Sequence, residues 1–256
     1  MRSGRPRSTV LAYHAVGYCD PRHDVHNLFV SPDAFAEQMD LLARSRRVVG
    51  LDEALFGEGP RGKPVVAITF DDGYRSILDH ALPVLERHGF PATVFVPTAY
   101  VGEANRWDEP GQCALDIMDA DELLVAESRG RSIESHGHAH LDLTAADEAT
   151  AASDIATSLA SLRALLGRDA QFLAFPFSHG SPGAQQAATS LGLRAAFSID
   201  RPGTGPFDRP RVQITRNDGL RGFAFKTGGR YVALRHSAAS RAVIALTRPI
   251  RSARRG

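Results

Sequence analysis

The sequence has few of the residues and patterns that mark specialised protein classes. Its 256 residues include 2 cysteines, 1 tryptophan and 7% aromatic residues, and the formal net charge is +1. Two cysteines cannot build the disulfide framework of a small secreted scaffold. No apolar run approaches the roughly 18 residues that suggest a membrane span. With 43% hydrophobic residues, the chain has enough apolar material for one sizeable core, which excludes a wholly disordered or collagen-like protein.

The two cysteines and the first residues of the chain predict the cellular compartment of the protein. Neither Cys19 nor Cys113 has a Cys-x-x-Cys partner, so we expect two ordinary thiols in a reducing compartment. The basic residues 1–8 are followed by a short apolar stretch that Tyr13 and His14 interrupt, without a small-residue cleavage site. The sequence therefore predicts a cytoplasmic protein with no transmembrane segment.

Charge is divided unevenly along the chain. Residues 201–256 hold 13 Lys and Arg against 2 Asp and Glu, whereas residues 1–200 carry a net charge of −10. The basic tail predicts attraction to anionic membrane surfaces. It also raises the rival hypothesis of a nucleic-acid-binding protein. Because the tail has no aromatic or helical recognition motif, we expect no nucleic-acid partner.

Short apolar runs alternate with segments of helical period. The runs predict strands, and they are Thr9–Tyr13, Val48–Leu51, Val65–Phe70, Thr93–Val96, Phe172–Phe175 and Ala195–Ile199. Between them, three apolar stripes predict helices: one begins after an N-cap at Ser31, and two end at Gly89 and Gly167. Because strands that are apolar on both faces need cover on both sides, the class is α/β, with parallel strands covered by helices.

A glycine-rich segment at residues 57–63 resembles a phosphate-binding loop but lies in the wrong context. Its sequence, GEGPRGK, precedes a predicted strand instead of following one and opening a helix. Pro64 stands where a phosphate loop has Ser or Thr. This context argues against nucleotide binding.

Two adjacent carboxylates follow the predicted strand Val65–Phe70. The carboxyl ends of strands are where ligands bind in α/β folds, and like charges side by side at such a point suit a bound cation. Asp is also a good helix N-cap, so a polar turn is an equally good interpretation of Asp71 and Asp72 taken alone.

A histidine pair later in the chain favours the bound cation over the polar turn. His136 and His140 are four residues apart, a spacing that puts two imidazoles on one side of a helical turn and lets them share a metal. A surface histidine cluster is the alternative for such a pair alone. Together with the Asp pair, the histidines predict a two-histidine, one-carboxylate site for a divalent catalytic ion with open positions.

At this point the sequence resembles a known family, the polysaccharide deacetylases with the NodB homology domain (carbohydrate esterase family 4). TFDDGY at Thr69–Tyr74 matches the first motif of that family, and SHGHAHLDLT at Ser135–Thr144 is similar to the second. FLAFPFSHG at Phe172–Gly180 resembles the third in outline. Thr9–Gly17 and Ser31–Leu42 resemble a branch with an early Tyr-His segment.

The resemblance covers roughly residues 9–215 and implies both fold and activity. It implies a distorted (β/α) barrel, with a catalytic domain at residues 1–215 and a basic, partly disordered extension at 216–256. The implied activity is metal-dependent removal of N-acetyl groups from sugars of a polysaccharide, glycan or glycolipid-linked precursor. The implied cofactor is a divalent ion, Zn²⁺ first, with Co²⁺ or Ni²⁺ as alternatives. Another amide hydrolase, such as a deformylase or small-amide deacylase, and an inactive glycan-binding module remain open.

The resemblance also assigns roles. The implied metal ligands are Asp72, His136 and His140. Asp71 is the implied general base, and the backbone N–H of Phe177 is the implied second donor to the oxyanion.

The chain departs from the family pattern in two places that matter. Residues 173–175, Leu-Ala-Phe, stand where the third motif usually has an arginine, so Arg211 becomes the candidate to orient Asp71. A solvated basic residue is a nearly equal interpretation of Arg211. The late Asp-x-x-Asp-Trp motif of the family is missing, since the single tryptophan is Trp107. There is also no clear C-terminal Leu-x-x-His motif, although Leu234-Arg235-His236 lies in that region. In the branch with the early Tyr-His segment, His14 is the implied acid that protonates the departing amine.

Overall fold

In a computed structural model of the chain, the structure describes residues 8–57, 62–108, 112–144, 146–199, 203, 205–228, 231 and 234. The strands within these ranges are β1 (Thr9–Tyr13), β2 (Ala15–Val16), β3 (Phe29–Val30), β4 (Arg47–Val48), β5 (Val65–Phe70), β6 (Ala92–Val96), β7 (Arg131–Ser135), β8 (Phe172–Ala174), β9 (Ala195–Ile199) and β10 (Arg209–Gln213). The α-helices are α1 (Pro32–Ser45), α2 (Leu51–Phe56), α3 (Leu82–His88), α4 (Ala120–Ser128), α5 (Glu148–Leu166), α6 (Pro182–Ser190) and α7 (Leu220–Lys226).

Seven parallel strands close into a barrel. They follow the order β1-β10-β9-β8-β7-β6-β5, and β1 pairs with β5 to complete the ring, while β4 pairs with β5 outside it. β2 and β3 form a separate two-stranded parallel sheet. The predicted α/β class and the (β/α) barrel are confirmed.

Buried side chains pack on both faces of the barrel wall. All six residues of β5 are buried, as the continuous apolar run predicts. Phe95 of β6 and Phe197 of β9 lie 5.9 Å apart between ring centroids, although their strands are not neighbours. These two rings therefore meet across the interior of the barrel.

Local signals at helix ends agree with the structure. Ser31 caps α1, its side chain accepting a hydrogen bond from Ala34 N at 3.2 Å, and Pro32 occupies the first turn. α3 and α5 end at Gly89 and Gly167, which take left-handed backbone conformations.

Register brings the ends of several strands to one rim. Tyr13 of β1 pairs with Phe70 of β5, and Val96 of β6 pairs with Ser135 of β7. Because all these strands run in the same direction, the residues that follow them emerge at the same end of the barrel. The candidate residues after β1, β5 and β7 are therefore neighbours, although up to 126 positions separate them in the sequence.

Some predicted boundaries were wrong. The strand predicted at Val48–Leu51 ends at Val48, because Gly50 acts as the N-cap of α2 and Leu51 is already helical. β10 was not predicted, since Pro210 and two arginines break the apolar pattern there.

The described part of the C-terminal region packs against a helix outside the barrel. α7 packs on α1, with Phe223 fully buried and Arg46 donating to the carbonyls of Ala224 and Thr227. The predicted disorder of the extension concerns residues of which most lie outside the described ranges, and the domain boundary at 215 stays a prediction. Among the described residues, no helix is long and apolar enough to cross a bilayer.

The two cysteines are joined. Cys19 and Cys113 form a disulfide, which corrects the prediction of two free thiols. The prediction failed because 94 positions separate the two cysteines, and their meeting depends on the packing of two loops. The expected cytoplasmic location stays a prediction.

Candidate active site

Three side chains that could hold a metal converge beyond the ends of β5 and β7. Asp72 Oδ1 lies 3.2 Å from His136 Nε2 and 3.3 Å from His140 Nε2. One ligand atom from each residue lies within 4.8 Å of the others, and all three residues are buried. The predicted two-histidine, one-carboxylate set is thus assembled, although its role as a metal site stays a prediction.

The backbone conformation after β5 directs the side chain of Asp72 into this site. β5 ends at Phe70, and Asp72 and Gly73 then both take left-handed conformations with φ of 67°. Asp tolerates this region better than most residues, and glycine adopts it freely. A Cβ at Gly73 would also lie 3.0 Å from a methyl group of Val96 on β6. The sharp turn after the strand therefore requires the Asp-Gly pair of the first motif.

The turn that carries the histidines differs from the expected helical one. Residues 136–140 form an irregular bend, in which Gly137 has a φ of 77° and His140 a φ of 50°. The prediction of a helical turn was wrong because the spacing of four is also met by a loop that reverses direction at a glycine. The outcome for the two imidazoles is the same, since both Nε2 atoms reach Asp72.

The chemistry of the donors fits a divalent ion. His136 Nδ1 lies 2.8 Å from the carbonyl oxygen of Ala174 on β8, which fixes the tautomer with its proton on Nδ1 and leaves Nε2 free to ligate. His140 Nδ1 is buried and without a hydrogen-bond partner within the described residues. Its ring is held instead between Trp107, stacked at 4.1 Å, and the edge-on ring of Phe177 at 4.8 Å.

Asp71, next to this triad, is paired with a buried arginine. Arg211 Nη1 and Nη2 donate to the two carboxylate oxygens of Asp71 at 2.6 and 2.7 Å, a bidentate pair. Arg211 is 1% exposed, which removes the interpretation of a solvated tail residue. Its Nη1 also donates to Thr69 Oγ1 at 3.0 Å, and its guanidinium lies 5.2 Å from the ring centre of Phe95. The structure thus brings Arg211 to the carboxylate that it was expected to orient.

The two adjacent carboxylates stay ionised for different reasons. Burial raises the pKa of Asp71, but the charge and the hydrogen bonds of Arg211 outweigh burial and bring this pKa below its usual value. Burial also raises the pKa of Asp72, but the adjacent imidazoles of His136 and His140 hold it well below its usual range. Both groups are therefore carboxylates at neutral pH.

His14 lies at the same rim, after β1. Its Nε2 is 3.9 Å from Asp71 Oδ2, and its Nδ1 is buried without a partner within the described residues. Burial lowers the pKa of His14 more than the charges of Asp72 and Asp71 raise it, so the imidazole is neutral at pH 7. Three other histidines are candidates for this role. His138 Nδ1 lies 2.9 Å from Thr98 Oγ1, His179 Nδ1 lies 2.8 Å from the Phe177 carbonyl oxygen, and His236 lies outside the described residues.

Phe177 lies beside the triad through its packing on His140. It has a φ of 52° in a short turn, Pro176–Ser178, that follows β8, and its side chain is 48% exposed. A left-handed conformation is uncommon for a bulky residue and is typical of functional loops. The role of its backbone N–H stays a prediction.

Sequence reasoning missed Trp107 as a site residue. Trp107 stacks on His140, and Tyr100 packs against the indole at 4.8 Å. The segment around it is fixed by Asn105, which donates to the Cys113 carbonyl and accepts from Leu115 N. Only the fact that it is the single tryptophan, in a polar loop, could have singled it out.

Comparison with known proteins agrees with this architecture. The family model described as polysaccharide deacetylase matches residues 58–196, more than half of the chain. The chain belongs to this family. It is 26% identical, over 75% of this chain and 70% of the relative, to a poly-beta-1,6-N-acetyl-D-glucosamine N-deacetylase of Staphylococcus aureus.

Solved deacetylase structures share the barrel. The deacetylase PplD of Streptococcus pyogenes superposes with a TM-score of 0.73 at 21% identity, covering 86% of this chain and 98% of that one. IcaB of Ammonifex degensii superposes with a TM-score of 0.70 at 25% identity, covering 87% and 97%. The predicted family and deacetylase function are thereby confirmed.

Proposed function

We propose that this polysaccharide deacetylase is a metal-dependent enzyme that removes acetyl groups from N-acetylglucosamine units of a β-1,6-linked polysaccharide. The observation that carries the proposal is the Asp71–Arg211 pair directly beside the Asp72–His136–His140 cluster. The named substrate of the Staphylococcus aureus relative supports the choice of sugar and linkage. A glycolipid-linked precursor is the second substrate class to assay.

Asp72, His136 and His140 would hold the divalent ion. When bound, such an ion lowers the pKa of a water molecule toward neutrality and polarises the acetyl carbonyl. Two imidazoles and one carboxylate suit Zn²⁺, and Co²⁺ or Ni²⁺ fit the same donors. These ions are the three to test first.

Asp71 serves as the general base. Its low pKa keeps it ionised, and the two hydrogen bonds from Arg211 restrict its carboxylate to one orientation. Amide hydrolysis moves one proton from water to the departing nitrogen. Asp71 accepts the proton of the attacking water at the start of that transfer.

His14 completes the transfer at the leaving group. The imidazole is neutral in the resting site, so it must gain the proton that it donates during the reaction. Its position 3.9 Å from Asp71 allows the proton taken from water to reach it. The backbone N–H of Phe177 is the proposed second donor to the oxyanion, since the residue lies against the ligand His140.

The location of the protein also stays a proposal. A cytoplasmic location was expected, but the Cys19–Cys113 disulfide favours an oxidising compartment. Peripheral contact of the basic tail with anionic membranes is proposed on charge alone. Cell fractionation with thiol labelling of the two cysteines distinguishes the compartments.

The test is acetate release by the purified chain loaded with Zn²⁺. We expect turnover on poly-β-1,6-N-acetylglucosamine, weaker turnover on chitooligosaccharides and peptidoglycan fragments, and turnover about 10²–10⁴-fold lower for Asp71→Asn. Preferred hydrolysis of formylated or small amides would replace the proposal by the alternative amide hydrolase. Glycan binding without turnover for any of the three metals would identify an inactive binding module.

A further inference from the structure

The bend that carries the two histidines needs support from outside itself. Residues 136–140 belong to no helix or strand, and two of them have positive φ angles. His136 directly follows β7, and its ring is fixed by the Ala174 carbonyl. His140 lies at the far end of the bend, so its position depends on what holds the intervening backbone.

A buried carboxylate on α5 provides that support. Asp154 is 7% exposed, and its Oδ2 and Oδ1 accept hydrogen bonds from His138 N and Ala139 N, both at 2.8 Å. Within the described residues, no Lys, Arg or His forms an ion pair with Asp154. Its two carboxylate oxygens are held instead by the backbone N–H groups of the bend. Hydrogen bonds to an ionised acceptor are stronger than those between neutral groups.

A second residue of the same helix face reaches the start of the bend. Ser158 lies four residues after Asp154, hence on the same side of α5. Its hydroxyl is 2.8 Å from Ser135 Oγ, which in turn accepts from Gly137 N at 3.2 Å. One face of α5 therefore holds three consecutive N–H groups, two directly and one through Ser135.

The close approach of Asp154 explains the glycine of the motif. A Cβ at Gly137 would lie 2.7 Å from Asp154 Oδ2, closer than real Cβ contacts. The positive φ of 77° also disfavours any other residue. Gly137 and Asp154 thus depend on each other. The missing side chain of the glycine leaves room for the carboxylate, and the carboxylate fixes the backbone of the bend by its hydrogen bonds.

We propose that Asp154 is a positioning residue for the metal site, acting on His140 through the backbone of residues 138 and 139. The proposal rests on the proposed function, because it assumes that His136 and His140 bind a metal. It assigns to Asp154 no contact with substrate. Its expected contribution is to metal affinity, which outer-shell partners typically change by about 10–100-fold.

The experiment measures Zn²⁺ affinity of the purified chain by competition with a chromophoric chelator. Asp154→Asn keeps the size of the side chain but sets an NH₂ group against one of the two N–H donors. We expect Zn²⁺ to bind about 10–100-fold more weakly, and excess Zn²⁺ to restore most of the turnover. A variant that was merely misfolded would not regain turnover with metal.

A matched pair separates positioning from stability. Asp147 lies on the same helix as its N-cap and also accepts a backbone hydrogen bond, from Thr150 N at 2.8 Å, but is exposed. Asp147→Ala should lower the melting temperature of the metal-free chain by about 2–4 °C and leave Zn²⁺ affinity unchanged. Asp154→Ala should weaken Zn²⁺ binding as well. If Asp154 variants do not fold, Ser158→Ala should show a smaller weakening of the same kind.

Three outcomes would contradict the proposal. Wild-type affinity in a folded Asp154→Asn chain would overturn it, and so would equal losses of affinity in Asp147→Ala and Asp154→Ala. Failure of the wild-type chain to bind Zn²⁺ would overturn the proposed metal-dependent function and this role together. The first two results leave the proposed function intact, so the two failures are distinguishable.

Discussion

The two halves of the candidate site are held in different ways. Asp71 and Asp72 follow the fully buried strand β5. Arg211 fixes Asp71 from β10, which is separated from β5 by β1. His136 and His140 flank an irregular bend that depends on Asp154 and on the Trp107 stack. The carboxylate half is therefore positioned by the barrel itself. In the histidine half, barrel strands fix His136, whereas His140 depends on elements packed outside them.

Because of this difference, we expect the positions of Asp72 and His140 to respond differently to substitutions elsewhere in the chain. A strand in a closed barrel has its backbone hydrogen bonds satisfied on both sides, so changes elsewhere in the chain reach Asp72 weakly. The bend accepts backbone hydrogen bonds from Thr98 N and Ala99 N at the carbonyls of Gly137 and His138, whereas its supports from Asp154 and Trp107 can each be removed by one substitution. Removal of a support of the bend should therefore weaken metal binding, whereas removal of the Arg211 pair should lower stability and raise the pKa of Asp71.

The largest effect is expected from the metal ligands. Asp72→Ala and His136→Ala should each lose the metal and all measurable turnover, because each removes one of three donors. Asp71→Asn should keep the metal and lose about 10²–10⁴-fold in turnover, since it removes only the base. Metal content by mass spectrometry and acetate release together give the distinction. Full metal occupancy in His136→Ala would point to His138 as the ligand.

A large effect without metal loss is expected at His14. His14→Ala should lower kcat by about 10²–10⁴-fold, the contribution of a positioned acid, and leave metal content intact. The defect should shrink for substrates with better leaving groups, which need less protonation. Alanine at His138 or His179 is the control, and neither should approach this loss. Near-normal turnover of His14→Ala on an amide would refute its role.

Substitution of Arg211 should change both the stability of the protein and the pH dependence of its activity. Arg211→Gln leaves the buried Asp71 without its cation, which should cost about 3–5 kcal/mol in the free energy of unfolding. Because Arg211 lowers the pKa of Asp71, its removal raises that pKa. The base must be ionised, so the loss of kcat/KM on the acid side should begin at higher pH than in the wild-type chain. Arg211→Lys should shift the profile less, and an unchanged profile in Arg211→Gln would argue against Asp71 as the base.

Sequence patterns predicted the carboxylate half more fully than its surroundings. The apolar run Val65–Phe70 and the Asp pair after it are local signals, and both appear in the structure as predicted. The pairing of Asp71 with Arg211 was anticipated only because an expected arginine was missing. β10, which carries Arg211, could not be predicted, since its proline and arginines lack strand character and its place is set by pairing with β1 and β9.

The supports of the histidine half could not be predicted from local patterns. Asp154 lies 14 residues after His140 within a helical segment, where an acidic residue normally faces solvent. Trp107 and the Cys19–Cys113 disulfide depend on how two long loops pack on each other. Such contacts follow from tertiary structure, and nothing in the spacing of these residues indicates them.

The smallest effect on turnover is expected from the disulfide. It joins the loop after β2 to the segment that carries Trp107, beside hydrogen bonds from Cys113 N to the His23 carbonyl and from Val25 N to Gln112. The double variant Cys19→Ser, Cys113→Ser should lose about 2–4 kcal/mol in the free energy of unfolding, because a long loop is no longer closed in the unfolded chain.

The same variant should affect the metal site only through the Trp107 stack. Zn²⁺ affinity should fall by less than the roughly 10–100-fold expected for direct outer-shell partners. Treatment of the wild-type chain with a dithiol reductant should reproduce both changes, and Trp107→Leu should reproduce the loss of affinity with the disulfide intact. If the double-serine variant loses as much Zn²⁺ affinity as Asp154→Asn, the disulfide positions His140 as strongly as α5 does. The histidine half would then depend on two supports of equal weight.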